Sequence, residues 1–371
     1  MKADSLGILQ ANYEAGLRVQ VQKTDVNALV GQYNSNVRTD NNFTIQQRIP
    51  FPMAFIAKNN YANELTKERT YALETRMWEM KKSVAFSYEN WRYLVEQQKL
   101  LLMQDSALTD LDSKLKLQSE LGEITAVEAW IVASEHVLLT QKLLKTETDL
   151  RAATSTLASL VYLDPGNFER TEQPYTLVSL ESKDSNSVMK TPQWKGMQQA
   201  ISTLVASQKL EKQLAFPELQ VGYFNQTLIG NVPVNMGVGP FTSKDRFQGA
   251  TFGISVPLLS RTNQQQRKWF QLEGEKVKQE LNQSVYAWNT RYQSLLMLYT
   301  NAKSTFDALN QTAEMLKKSM KGVVLDQLNT GEIDQLDAIK LQLNIDKIRL
   351  SEIDIIHQLN VLALELNYLS F

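Results

Sequence analysis

The chain has 371 residues, with 39 Lys and Arg against 40 Asp and Glu, a formal net charge of -1 and no cysteine. Charge this balanced, scattered along helical stretches, leaves no basic footprint for nucleic acid. The missing thiols exclude disulfides, cysteine nucleophiles, cysteine metal sites and the residue an N-terminal lipid anchor needs, and without a run of 18 apolar residues no segment predicts a membrane-spanning helix.

The N-terminus, Met1-Lys2-Ala3-Asp4, has no signal-peptide apolar core. An exported form is therefore expected to have had its targeting segment cleaved or trimmed, or to belong to a longer parent polypeptide. Residues 4–24 predict a helix, with Leu6, Leu9, Tyr13, Leu17 and Val21 on one side. Residues 26–36 and 43–52 predict two strands joined through Asn34-Ser35-Asn36 and Asp40-Asn41-Asn42. From Ala54 to Gln118 there is neither Pro nor Gly, and Leu73, Met77, Met80, Val84, Tyr88, Trp91, Val95 and Leu102 recur at steps of three or four. A helix of that length runs about 90 to 100 Å and needs lateral partners. A second limb over 125–162 ends before Asp164-Pro165-Gly166, and 163–190 is the least regular stretch.

Helix resumes at Pro192 and runs to Leu214. Strand patterns follow at 218–229 and 246–259, then Pro-free helices over 263–329 and from Asp334 to the C-terminus. The plan is thus stated twice. Gly31-Gln32-Tyr33-Asn34 matches Gly222-Tyr223-Phe224-Asn225 at an offset of 191, Ile49-Pro50-Phe51 matches Val256-Pro257-Leu258 at 207, and Gly122-Glu123-Ile124 matches Gly331-Glu332-Ile333 at 209. Three matches in one order with nearly constant spacing argue for duplication. The surplus of the second copy falls in Gly230–Pro240, where a hairpin loop absorbs it at little entropic cost. The expected organisation is a first repeat over 1–162 (strands 26–52, helical hairpin 54–162), an equatorial connector over 163–190, and a second repeat over 191–371 (strands 218–259, helical hairpin 263–371).

In the fourth strand Ala250, Phe252, Ile254, Val256 and Leu258 share one parity, and in the second Phe43, Ile45, Ile49 and Phe51 share a face with Gln47. One oily and one polar face suits strands between lipid and water, and equally a soluble sheet resting on a helical core. Four strands cannot close a barrel, and an open edge is not tolerated in hydrocarbon. A membrane location therefore predicts several copies, most simply a trimer with twelve strands. The helices carry enough Gln, Asn, Lys and Glu beside their apolar stripes to pack as coiled coils with water on at least one side. At the two Gly-Glu-Ile points, Gly permits a turn, Glu123 or Glu332 favours the first turn of the next helix, and Ile124 or Ile333 forms an apolar knob.

With these residues in view, the chain resembles the TolC-like outer-membrane efflux proteins over nearly its whole length. The resemblance rests on the doubled strand-strand-helix order, the segment Gln46-Gln47-Arg48-Ile49-Pro50-Phe51-Pro52, and the tips Leu121-Gly122-Glu123-Ile124 and Thr330-Gly331-Glu332-Ile333. It implies an α+β membrane protein: a homotrimer whose twelve-stranded β-barrel in the outer membrane continues into a periplasmic α-helical barrel. It also implies passive conduction of substrates handed on by a periplasmic adaptor protein and an inner-membrane transporter, expected to be of the resistance-nodulation-division type. On that basis Gly122, Glu123, Ile124, Gly331, Glu332 and Ile333 face the adaptor. Glu120, Asp326, Asp334 and Asp337, with Glu123 and Glu332, are candidates for an acidic pore entrance favouring cations. The Ile-Pro-Phe-Pro segment is more similar to the heavy-metal and cation branch, some of whose relatives are joined to the end of the pump polypeptide.

No enzyme, cofactor or metal site is expected. His136 and His357 stand at an offset of 221, outside the repeat register, and His136 with Glu128 and Glu135 lacks His-x-x-x-His or Glu-x-x-His spacing. Gly237-Val238-Gly239 lacks the rest of a phosphate loop and suits an extracellular turn. The alternative function is a soluble coiled-coil scaffold or adaptor with a small β cap.

Overall fold

A computed structural model of the chain describes residues 2–32, 37–168, 173–181, 185–230, 240–256, 261–319 and 335–369. In order, the elements are α1 (Lys2–Arg18), β1 (Asp25–Val30), β2 (Asn41–Ile49), α2 (Pro52–Glu120), α3 (Ala126–Val161), α4 (Pro192–Leu214), β3 (Glu218–Thr227), β4 (Arg246–Ser255), α5 (Arg261–Ser319) and α6 (Gln335–Leu369). Pro52 and Pro192 each begin a helix, where a missing amide costs nothing because first-turn amides lack intrahelical partners anyway.

The chain divides into two compact units that cut across the repeats: Met1–Thr75 with Pro192–Gln283, and Arg76–Thr191 with Ser284–Phe371. Each repeat gives its strands and the first part of its long helix to the first unit, and the rest of its helical hairpin to the second. The first unit holds one antiparallel sheet in the order β1-β2-β3-β4. Its helical core joins Ala11 of α1, Ala54, Tyr61 and Leu65 of α2, and Ala206 and Leu210 of α4.

The second unit is built from paired helices whose apolar residues recur at heptad-like steps. Trp91 and Leu94 of α2 meet Leu150, Ala153 and Leu157 of α3, and Leu108 and Leu115 meet Ala129 and Val132. Leu295 and Ala302 of α5 meet Leu359, Leu362 and Leu366 of α6. Leu100 and Leu101 pack on Leu350, which ties α2 to α6. Burying side chains of this size contributes about 1.5 to 3 kcal/mol each, the lateral support a helix as long as α2 requires. Among the described residues no helix is long and apolar enough to cross a membrane.

Three features depart from the sequence expectation. The helix expected over 4–24 ends at Arg18, so Val21 lies beyond it. β1 stops at Val30 because Gly31 takes φ +140° and turns the chain, donating its amide to the Asp40 carbonyl. The matched Gly222 instead lies in the middle of β3, opposite Gln46 and Thr251. The first of the three repeat matches therefore does not pair equivalent backbone positions. Gly222 has its own reason: a Cβ there would lie 2.5 Å from Thr251 Oγ1 and 2.8 Å from the Ile45 carbonyl.

Candidate membrane-facing sheet and hairpin tip

Strand pairing fixes which side chains share a face. Val26, Ile45, Tyr223 and Ala250 form one row across the four strands, Gln47, Val221 and Phe252 the next, and Ile49, Leu219 and Ile254 the one beyond. These apolar side chains point away from the rest of the unit: Phe252 is 83% exposed, Ile254 66% and Val26 58%. From Ala250 to Val256 the band runs about 20 Å along the strand at roughly 3.3 Å per residue, about 15 Å of height at the strand tilt of a barrel, against a belt of about 25 Å in membrane barrels. The single amide within it is satisfied, since Gln47 accepts from Thr24 Oγ1 at 2.5 Å and donates to the Gln22 carbonyl at 2.6 Å.

Toward the hairpin loops the same face turns polar. Arg246 donates to Asn225 at 2.5 Å and to Asn41 at 2.7 Å, while the Tyr223 hydroxyl donates to Gln248 at 2.5 Å. An amphipathic ring capped by hydrogen-bonding groups is the usual chemistry of a membrane boundary. Asp40, 1% exposed, fastens the loops by accepting from Thr227 Oγ1 at 2.9 Å and the Ile229 amide at 3.0 Å. The opposite face is mixed: Thr44, Gln46, Arg48, Gln220, Gly222, Thr251 and Gly253 share it with Leu29, Phe224 and Phe247, and Gln220 donates to Gln46 at 2.9 Å.

The α2–α3 turn is a compact reversal. Gly122 takes φ +76°, its amide bonds to the Ser119 carbonyl and the Glu123 amide to that of Gln118, closing the C-terminus of α2 as a Schellman motif. Thr125 then caps α3: its hydroxyl accepts from the Glu128 amide while the Glu128 carboxylate accepts from the Thr125 amide at 2.7 Å, a capping box. The acid of the first turn is Glu128, and Glu123 precedes the cap. Ile124 turns inward against the cluster holding Ala129, so it staples the turn instead of standing out as a knob. The signal was present as Thr125-x-x-Glu128.

Of the other tip residues, Glu120 is exposed at the last position of α2. Gly331, Glu332, Ile333, Asp326 and Asp334 lie outside the described residues, and Asp337 is described only as a position in the first turn of α6. His136 does not meet Glu128 or Glu135. Its Nε2 is 3.3 Å from Asp105 and 3.2 Å from Thr109 Oγ1, and Glu135 pairs with Lys347. Among the described residues no group of three His, Asp or Glu is arranged to hold a metal ion.

A buried polar cluster in the second unit gave no sequence signal. Glu89, 6% exposed on α2, accepts from the Tyr175 hydroxyl at 2.5 Å and from Asn360 Nδ2 at 3.0 Å, with His357 Nδ1 at 3.4 Å. Asn360 also accepts from the Val178 amide and donates to the Thr176 carbonyl; two turns on, Asn367 does the same with the Glu181 amide and the Ser179 carbonyl. Two asparagines of α6 thereby hydrogen-bond the extended connector as a neighbouring strand would. His357 stacks on Tyr93 at 4.2 Å. Burial, then the bond to Glu89, raises the pKa of Tyr175, and burial with Asp354 pushes Tyr93 up to about 12.

No family model and no curated protein matches the chain by sequence. Solved structures do match. The chain aligns over its full length with 88% of CusC, described as forming a transmembrane channel, at TM-score 0.73 and 13% identity. It aligns over 99% with 91% of the outer membrane protein VceC of Vibrio cholerae, at 0.75 and 12%, and over 99% with 85% of the open-state MtrE outer membrane channel of Neisseria gonorrhoeae, at 0.72 and 12%. The fold is that of outer-membrane channels. At such identities the likeness concerns backbone architecture, and the side-chain chemistry above is this chain's own.

Proposed function

We propose that three copies of this chain form an outer-membrane channel of a tripartite efflux system. The observation that supports this most is the sheet's outward apolar face, with Phe252 at 83% exposure. Leaving such a surface in water forfeits about 25 cal/mol per Å² of apolar area, whereas lipid accepts it without loss. Among the described residues no strand lies beside the outer edges of β1 and β4. In hydrocarbon those backbone groups need partners, and three four-stranded sheets joined edge to edge supply them in a closed barrel of twelve. The apolar band argues against the soluble scaffold, whose sheet would turn its oily side inward.

The helical hairpins then extend into the periplasm, with 163–190 as the equatorial connector between repeats 1–162 and 191–371. Gly122, Glu123 and Ile124, with Gly331, Glu332 and Ile333, meet a periplasmic adaptor coupled to an inner-membrane transporter of the resistance-nodulation-division type. The tube is a passive conduit. Glu120, Asp326, Asp334 and Asp337 gather as acidic rings at its entrance and favour cations, in keeping with the Ile49-Pro50-Phe51-Pro52 resemblance to the metal-efflux branch.

Light scattering of the detergent-solubilised particle with single-channel conductance tests the reading: a trimer and discrete conductance steps are expected. A stable monomer in plain buffer overturns it. Gly122→Val with Gly331→Val should abolish efflux while sparing barrel insertion, and normal efflux in that double variant removes the tips from the mechanism.

A further inference from the structure

Where α4 hands over to β3, beside the start of α5, the first unit carries a cleft of about 660 Å³. Lys209 and Lys212 of α4 and Arg267 of α5 line it, and among the described residues none of the three has a carboxylate within ion-pair distance. The one acidic lining residue, Glu211, already accepts Gln266 Nε2 at 2.8 Å. With three cations against the one carboxylate, the lining keeps a formal charge of +2.

Phe216 and Phe270 make part of its wall aromatic, beside Gln208, Ala215, Pro217 and Gln266. Phe270 is buried, with Trp269 packed edge-on at 4.9 Å and itself 55% exposed. Phe216 is 41% exposed and stacks on Phe51 at 5.7 Å. Three residues beyond Phe216 comes Leu219, in the last row of the apolar band beside Ile254. Cations at one level with exposed apolar side chains immediately past them match an amphiphile whose phosphate and acyl chains lie in the same order.

We propose that this cleft binds the headgroup of an anionic phospholipid of the periplasm-facing leaflet, the phosphate held by Lys209, Lys212 and Arg267 and the chains lying along Leu219, Ile254 and Val256. The inference rests on the sheet occupying a bilayer, which sets this junction at headgroup depth. A free phosphate would engage the same cations but leave the aromatic wall and the volume unused. Basic pockets of this kind recognise anionic lipid through charge.

The test compares the wild-type chain with K209Q/K212Q/R267Q and with K142Q as a control on α3. Short-chain phosphatidylglycerol, short-chain phosphatidylcholine and inorganic phosphate are titrated into detergent-solubilised protein, with binding read by native mass spectrometry. The wild type and K142Q are expected to retain phosphatidylglycerol, and the triple variant to bind it roughly tenfold to hundredfold more weakly. Undiminished binding by the triple variant overturns the site. So does equal binding of phosphatidylcholine, or inorganic phosphate matching phosphatidylglycerol in affinity. Flotation with phosphatidylcholine vesicles separates the two levels. If the wild type fails to float, the membrane reading falls and the lipid assignment with it; if both chains float and bind phosphatidylglycerol equally, the cleft alone is refuted.

Discussion

The sheet and the helical layers use the same apolar side chains in opposite senses. In the second unit Leu101, Leu359 and Val132 are at most 1% exposed, sealed between helices. In the sheet Phe252, Ile254 and Val26 are exposed on one face, while glutamine, threonine and glycine share the other with Leu29, Phe224 and Phe247. The difference teaches that burial depends on which solvent an element meets: the helical layers are stabilised against water, and the exposed apolar face of the sheet suits the bilayer that the proposed function gives it.

The comparison breaks first where each region is most committed. Leu101→Ala should cost about 2 to 5 kcal/mol by leaving a cavity between α2 and α6, and chemical denaturation should register the loss in detergent and in lipid alike. Phe252→Arg, near the middle of the apolar band, should cost about 2 to 4 kcal/mol, but only when the sheet must fold into a bilayer. Equilibrium refolding into vesicles with urea reads that value, and the solubility of the detergent-free chain should improve. A similar penalty for Phe252→Arg without lipid would mean that its face packs on protein after all.

Smaller effects sharpen the contrast within the helical unit. Asn360→Ala strips partners from Glu89, the Val178 amide and the Thr176 carbonyl, and should cost about 1 to 3 kcal/mol. Hydrogen exchange at Val178 should accelerate while the strands keep their protection. Thr125→Ala removes the cap of α3 and should cost roughly 0.5 to 2 kcal/mol, seen as faster exchange of the Glu128 amide with vesicle insertion unaltered.

Much of this was readable from the chain. Pro192 and Leu214 bound α4 as the pattern predicted, and the starts of β3 at Glu218 and β4 at Arg246 follow from alternation against a polar loop. Alternation also defined the two faces of the sheet. It did not say which face turns outward, because period two is the same for a sheet on a core and a sheet in lipid. That decision belongs to tertiary packing. The end of β1 was missed because Gly31 continues a strand-like composition while its backbone has already turned. At the tip the Gly122 turn was legible, yet the capping acid was assigned to Glu123 because charge near a helix start was weighed without the Thr125–Glu128 spacing. The Glu89, Tyr175 and Asn360 cluster joins residues far apart in the chain, and no local pattern announces such a meeting. The adaptor-facing and acidic-entrance assignments in the second repeat concern residues outside those described.

Both loops of the sheet, 31–40 and 228–245, leave from one end, and every helical connection leaves from the other. Threading such a sheet across a lipid film asks only two short segments to make the passage, the first carrying Arg38 and Asp40 and the second Lys244 and Asp245 as its only charges. The bulk of the polypeptide never has to leave water. On the proposed membrane reading, the direction of insertion follows from connectivity: whichever compartment holds the helices when the film is met keeps them.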